Sequence, residues 1–398
     1  MSKILSREEK YLLLLLQAAI RKKKIKNTDI DCDWQKLLQL AESHAVSALL
    51  YDVIETQTAM SAHVTERIQK DAQAAVLSNY RLLFLTSYLT AYLGKHGIAA
   101  LTLKGAATAS VYPVPEYRKS GDVDLLIPRQ TDYERALDLL QQDGFQIGRQ
   151  QLASHHVDLC NAEGITVELH NTLTEPFENQ KINEYLKNLL PQYVKNIEKN
   201  TVWGVPLLQP SDAYHAFYLI LHMLQHFMRE GFGLKNLCDW TLFWDRDIAG
   251  AEKKRFLELV RESGTGQFVR VLTAACVRYL GLPKGKAAFV LTKPVRNDMV
   301  EAFLQEVLEA GEFGRSQADR MVAMRGTGPA AYLQEFQHQM HLNYPRAGRI
   351  AVCWPLLWGL TLARFLYNNR RLHRAPVRSI LKKAGRRSAL TEQMQLFQ

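Results

Sequence analysis

Apolar positions along this chain follow two periods. From residue 4 to 97 they recur at helical spacing. Tyr11-Leu12-Leu13-Leu14-Leu15-Leu16 is an apolar run closed by Lys22-Lys23-Lys24, and Asp33-Trp34 to Ser43 and Val64 to Tyr92 repeat the pattern. Between 98 and 170 the period drops to two. Ala100 to Leu103 suits a short buried strand that Lys104-Gly105 breaks, and Ala106 to Val111 is small and helix-compatible. Val123-Asp124-Leu125-Leu126-Ile127 predicts a second strand, and Asp132 to Gln142 an amphipathic helix ended by Asp143-Gly144. Phe145 to Gly148 and His156 to Cys160 read as strands. The turn Asn161-Ala162-Glu163-Gly164 then returns the chain through Ile165 to His170. Residues 171–209 are polar, with Pro176, Pro191 and Pro206, and read as loop and boundary. Ser211-Asp212 then caps a helix from Ala213 to Arg229, and more helices follow through 340.

The pattern predicts an α/β fold, helix-rich and of α+β type, with a small mixed sheet between helical segments. Its divisions are a helical segment over 1–97, an α/β core over 98–175, a linker over 176–209, a helical domain over 210–340 and a tail over 341–398. The first segment reads as scaffold for the sheet in preference to a substrate lid.

The chemistry gathers in the middle of the chain. Residues two apart in a strand share a face, so Asp122 and Asp124 point the same way. At ~4 Å and an effective dielectric of ~20, two such charges repel by roughly 4 kcal/mol. A cation relieves that repulsion, and hard oxygen donors suit Mg²⁺ or Mn²⁺. Glu168, alone on the strand-like segment Ile165 to His170, is the best third carboxylate for a clamp of two ions in phosphoryl or nucleotidyl transfer. The Lys104-Gly105 turn aims backbone N–H groups at an anion. Arg118, in a loop with Pro113 and Pro115, is a candidate to grip a triphosphate. Lys104 reads as a phosphate contact or a structural ion pair, and His170, on the face of Glu168, as a phosphate or acceptor contact or a packed histidine. His155 and His156 open a strand and are not expected to bind metal. His222 and His226, four apart on one helix, face the cleft or the core, and the next helix carries Lys235 and Asp239.

The ordered set resembles the uncharacterised bacterial nucleotidyltransferase family of the DNA polymerase β-like superfamily. The resemblance rests on Leu103-Lys104-Gly105, Tyr112-Pro113, Arg118, Gly121-Asp122-Val123-Asp124-Leu125-Leu126, His155-His156 and Val167-Glu168-Leu169-His170. It continues at His222, His226, Gly233-Leu234-Lys235, Asp239 and Gly311-Glu312-Phe313-Gly314. Two positions depart from it. Lys104-Gly105-Ala106 stands where the superfamily has Gly-Gly or Gly-Ser, and Gly233-Leu234-Lys235 where the family often has Gly-Leu-Arg. The resemblance implies a polymerase β-like sheet and transfer of a nucleoside monophosphate from an NTP to an acceptor hydroxyl or phosphate, releasing pyrophosphate. Asp122, Asp124 and Glu168 would be catalytic and hold two Mg²⁺ or Mn²⁺ ions. Lys104, Gly105, Arg118, Gly121, His170 and Lys235 would bind nucleotide or phosphate. The acceptor, whether small molecule, glycan, peptide or protein, is not written in these residues. The alternative is a non-catalytic nucleotide- or nucleic-acid-binding protein that keeps the fold.

Charge and cysteine usage narrow the setting. Five scattered cysteines (Cys32, Cys160, Cys238, Cys276, Cys353) lack paired spacing, so they read as reduced thiols in a cytoplasmic protein, with no zinc site and no disulfide framework. The start, Met1-Ser2-Lys3, does not resemble a secretory signal. Net charge is +10, while His341 to Thr391 holds eleven Lys and Arg and no Asp or Glu. Ile350 to Ala363, with Trp354 and Trp358, is apolar but shorter than the ~20 residues that span a bilayer. Three readings of this tail stand: a membrane-interfacial helix with a polybasic flank, a nucleic-acid contact without aromatic interleaving, or a core helix with a basic end.

Overall fold

A computed structural model describes residues 5–25, 31–53, 60–148, 156–312, 350–371 and 388–397, with isolated positions between 333 and 347 and at 385. Three helices open the chain: α1 (Arg7–Ala19), α2 (Trp34–Ser43) and the long α3 (Ala62–Lys95). Ser6 caps α1 in a reciprocal capping box with Glu9, and Asp33 caps α2 through Gln35 and Lys36. The middle of the chain holds β1 (Leu101–Thr102), the single turn α4 (Ala106–Ala109), β2 (Asp122–Leu126), α5 (Gln130–Gln142), β3 (Gln146–Ile147), β4 (His156–Cys160) and β5 (Thr166–His170).

These strands form one mixed sheet in the order β1-β2-β5-β4-β3. The β2–β5 pair is parallel, with Asp124 beside Glu168 and Leu126 beside His170, and the other pairs are antiparallel. Period-two alternation splits the sheet into two faces. Val123, Leu125, Ile127, Leu159, Val167 and Leu169 pack behind it on Leu82, Leu85, Leu89 and Leu93 of α3 and on Tyr133, Ala136 and Leu140 of α5. The opposite face carries Asp122, Asp124, Glu168 and His170. The expected mixed sheet within a helix-rich α/β fold is present.

Residues 176–209 are not a linker. They form α6 (Gln180–Lys195) and a hairpin of β6 (Ile197–Val202) and β7 (Val205–Pro210). The helix is amphipathic: Ile182, Leu186, Leu189 and Tyr193 are buried, spaced four, three and four apart, and Asn179 caps its start. Pro191 inside it and the polar outer face disguise this periodicity. The hairpin buries Val202 and Leu207 on Leu83 of α3 and Ala106 of α4.

The remaining described helices are α7 (Asp212–Met228), α8 (Leu234–Asp245), α9 (Gly250–Glu262), α10 (Gly266–Tyr279), α11 (Lys284–Ala287), α12 (Asn297–Ala310) and α13 (Trp354–Arg371). Helices α7 and α8 are buried nearly all round, and Trp240, Trp244, Phe217, Phe227 and Phe268 centre the largest core cluster. That cluster also takes in Leu12 and Leu16 of α1, Leu186 of α6 and Met394, so the segments expected on either side of the sheet share one core.

The apolar tail segment is helical. Leu357 and Thr361 are buried, while Val352 is 90% and Leu356 69% exposed. Among the described residues, no helix is long and apolar enough to cross a membrane. Arg346, Arg374, Arg378, Lys382, Lys383, Arg386 and Arg387 lie outside the described residues, as do His155, Phe313 and Gly314.

Candidate active site

Strand β2 sets the site. Its alternation turns Val123 and Leu125 into the core and leaves Asp122 and Asp124 on the front face, where parallel pairing brings Glu168 alongside. One oxygen from each of the three carboxylates lies within 4.8 Å of the other two. Asp124 is fully buried. Its Oδ1 accepts from the Lys104 ammonium at 2.9 Å and lies 3.4 Å from His170 Nε2, whereas Oδ2 has no hydrogen-bond partner among the described residues. His170 Nε2 also lies 3.4 Å from Glu168 Oε2.

These contacts set the protonation of the cluster. Burial works against the charge on Asp124, but Lys104 and His170 outweigh it and hold its carboxyl below the usual carboxylate range. Asp122 moves the other way, pushed up to about 6 by the Asp124 charge first and burial second. Burial opposes charge on Glu168 too, yet the His170 hydrogen bond and Lys104 lower its pKa. His170 is raised: burial disfavours its cation, and the two carboxylates more than compensate.

Lys104 reaches the site because Gly105 turns the chain. Gly105 sits at φ +60°, where L residues are strained, and a Cβ there would stand 3.5 Å from the Asp122 carbonyl oxygen. The carbonyl of Leu103 accepts from His215 Nε2 at 2.9 Å, which ties the end of β1 to α7. Further along α7, His222 Nε2 meets the Lys104 ammonium at 3.0 Å. The chain of contacts runs on through His226 Nε2, 3.1 Å from His222 Nε2, and from His226 Nδ1 to Glu230 at 2.6 Å. The histidine pair therefore reaches the site through Lys104. Glu230 is a member that sequence reasoning missed, although its spacing of four from His226 marks it as a near neighbour.

Arg118 is not a mobile triphosphate grip. Its side chain is 5% exposed and makes three hydrogen bonds. Nε and one terminal nitrogen donate to the two oxygens of Asp239 at 2.7 and 2.8 Å, and the other terminal nitrogen donates to Ser120 Oγ. Burial opposes its charge, and Asp239 overrides that and raises its pKa. Tyr112 Oη donates to the same Asp239 at 2.6 Å, and Asn79 Nδ2 donates to the Glu116 and Arg118 carbonyls. The loop entering β2 is thus fastened to α3 and α8, and Gly121 lies between this anchor and Asp122.

Lys235 is likewise engaged. It pairs with Glu312 at 2.5 Å. The turn at Gly311-Glu312, which has no legible role in the sequence, supplies this counter-charge. Gly233 is needed by crowding: a Cβ would come to 3.0 Å from Glu312 and 3.2 Å from His44, whose Nδ1 accepts from the Leu234 N–H. Even so, Lys235 adds to the positive field at Asp122.

No curated protein matches this chain. A solved structure of an antigenic nucleotidyltransferase-like protein from Paracoccidioides brasiliensis is similar over 53% of this chain and 97% of its own, at 18% identity. Its TM-score of 0.31 marks a loose superposition with no bearing on function. The family model described as "Uncharacterised nucleotidyltransferase" matches residues 31–281, which include the sheet, its three carboxylates and helices α7 and α8. The chain belongs to this uncharacterised nucleotidyltransferase family.

Proposed function

We propose that this protein transfers a nucleoside monophosphate from an NTP to an acceptor hydroxyl or phosphate, with release of pyrophosphate, and that the reaction depends on divalent metal. The observation that carries this reading is the convergence of Asp122, Asp124 and Glu168 on one face of β2 and β5. The donor set fits the metal. All three ligands are carboxylates, Asp124 keeps a buried oxygen without a partner among the described residues, and Asp122 is raised by its neighbour's charge. Such a site favours Mg²⁺ or Mn²⁺, and two ions suit three acids of which one is shared. Held by Asp122, Asp124 and Glu168, such ions would supply positive charge to the phosphates and to the departing pyrophosphate.

The other roles belong to the chain itself. Lys104, held by Asp124 and His222, adds fixed positive charge beside the phosphates, and the backbone after Gly105 donates N–H groups to them. Glu168 is less buried than Asp124 and takes the proton of the acceptor hydroxyl as the new phosphoester bond forms. His170 holds Glu168 and Asp124 in place. Lys235 contributes charge at a distance, while Arg118 and Gly121 act by setting the position of β2. Orientation and electrostatics supply most of the rate.

The test is pyrophosphate release from each of the four NTPs with Mg²⁺ or Mn²⁺, together with transfer of α-phosphate label to components of a lysate. Asp122→Asn and Asp124→Asn should each lower turnover by roughly 100-fold or more, the order expected for loss of one strong electrostatic stabiliser. Near wild-type turnover in both variants would remove the assignment. NTP binding with no label transfer would favour the non-catalytic binding protein.

A further inference from the structure

The front face of the sheet does not stop at the three carboxylates. In the antiparallel β4–β5 pair, His156 stands opposite His170 and Asp158 opposite Glu168. Those four side chains share the face that carries Asp122 and Asp124, so the polar surface continues across a third strand. One ligand atom from each of His156, Glu168 and His170 lies within 4.8 Å of the other two. We propose that His156, Glu168 and His170 form a second metal site, for a borderline divalent cation of the Zn²⁺ or Mn²⁺ type, next to the carboxylate site and sharing Glu168 with it.

Donor chemistry separates the two sites. Carboxylate oxygens alone suit Mg²⁺, whereas two imidazoles with one carboxylate favour Zn²⁺ and other first-row ions. Three protein ligands also leave a coordination position for water or substrate, as catalytic zinc sites do. The sheet supports the ligands as such sites require. His156 Nε2 lies 3.0 Å from Asp158 Oδ1, a carboxylate–imidazole contact that orients a ligating ring. His170 is locked inside the fold, with Nε2 3.4 Å from both Asp124 and Glu168. Those two contacts are long for N–H···O bonds, whose usual distance is about 2.9 Å.

The His156 and His170 ring centroids are 5.1 Å apart on directly opposed residues. That spacing lets both rings offer a nitrogen to one ion together with Glu168. Solvent reaches the site from the β4 side, where Asp158 is half-exposed.

The experiment uses the full chain, stripped of metal by chelator, titrated with Co²⁺ and with Zn²⁺, and separately with Mg²⁺. One equivalent of Co²⁺ should give a visible d–d spectrum that excess Zn²⁺ abolishes. His156→Gln should weaken Zn²⁺ binding by about tenfold or more and change the Co²⁺ spectrum, with Mg²⁺ binding unaltered. Asp158→Asn, a substitution at the surface, should weaken Zn²⁺ by about tenfold through loss of the orienting carboxylate. The proposal does not depend on nucleotidyl transfer. Asp122→Asn, which disables the carboxylate site, should leave the Co²⁺ spectrum in place. Unchanged Zn²⁺ affinity in His156→Gln, or a Co²⁺ spectrum lost equally in Asp122→Asn, would overturn it.

Discussion

Asp122 and Asp124 have the same side chain, lie two residues apart, and are driven in opposite directions. Asp124 has Lys104 and His170; Asp122 has mainly Asp124. A carboxyl raised from 3.8 to about 6 binds its proton more tightly in the folded chain than in the unfolded one. Stability therefore falls as pH rises from about 4 through 6, and the penalty is complete above pH 6. Asp122→Asn should remove it. In EDTA at pH 8 the variant is expected to be more stable than wild type by about 2–3 kcal/mol, the free-energy equivalent of a rise from 3.8 to about 6, with no difference near pH 3. Urea titrations at the two pH values check this, and equal stability at pH 8 would mean that the two acids do not crowd each other. Added Mg²⁺ should narrow the gap by stabilising the wild type alone. The Arg118–Asp239 pair behaves in the opposite way. Both side chains are buried and multiply bonded, so Asp239→Asn strands a guanidinium and should cost about 3–5 kcal/mol of stability. Thermal unfolding reads that loss. A variant as stable as wild type would show that the guanidinium had found another partner.

At the scale of elements, the sequence was most legible where one physical rule acts locally. Asp-x-Asp in an apolar run places two acids on one face whatever the rest of the chain does, and β2 follows that rule, as β5 follows the same alternation with Glu168 and His170. The Lys-Gly break before α4 was legible for the same reason. Partners distant in the chain were not. Arg118 meets Asp239 across 121 positions, and nothing near either residue signals the pairing. Helix α6 was hidden by an internal proline and a polar outer face, although its buried residues keep helical spacing. Helix α13 coincides with the expected apolar segment, and it and the turn before it leave Val352 and Leu356 facing solvent. If the basic tail meets a lipid surface, the protein should sediment with anionic vesicles and less with neutral ones, and Val352→Asp with Leu356→Asp should abolish the difference. Protein left in the supernatant in every case would remove the membrane reading of the tail.

The whole molecule is held by a core that ignores the order of the chain. Helix α1 packs on α2 and on α10, its leucines share one cluster with residues of α8 and α9, and Arg21 just beyond it donates to Asp245 and to the Gly281 carbonyl. Leu390 and Met394 enter the same cluster, and the Phe397 N–H donates to the Gly264 carbonyl at 2.9 Å. Met394, fully buried, should cost about 2–5 kcal/mol when replaced by alanine, in a denaturant titration that stays a single transition. Two separate transitions would show that the helical segments fold as independent domains.

That arrangement has a consequence for the ribosome. Leu12, Leu13, Leu15 and Leu16 leave the exit tunnel early, but α10 follows roughly 250 residues later, a delay of tens of seconds at about 5–20 residues per second. Throughout that interval α1 has its first partners, α2 and residues 47–50, but not α10, so the part of its apolar face that meets α10 stays uncovered. The nascent chain is then a client for whatever binds exposed leucine-rich segments. Slowing its synthesis should lower the soluble yield, even though every residue of the finished protein is unchanged.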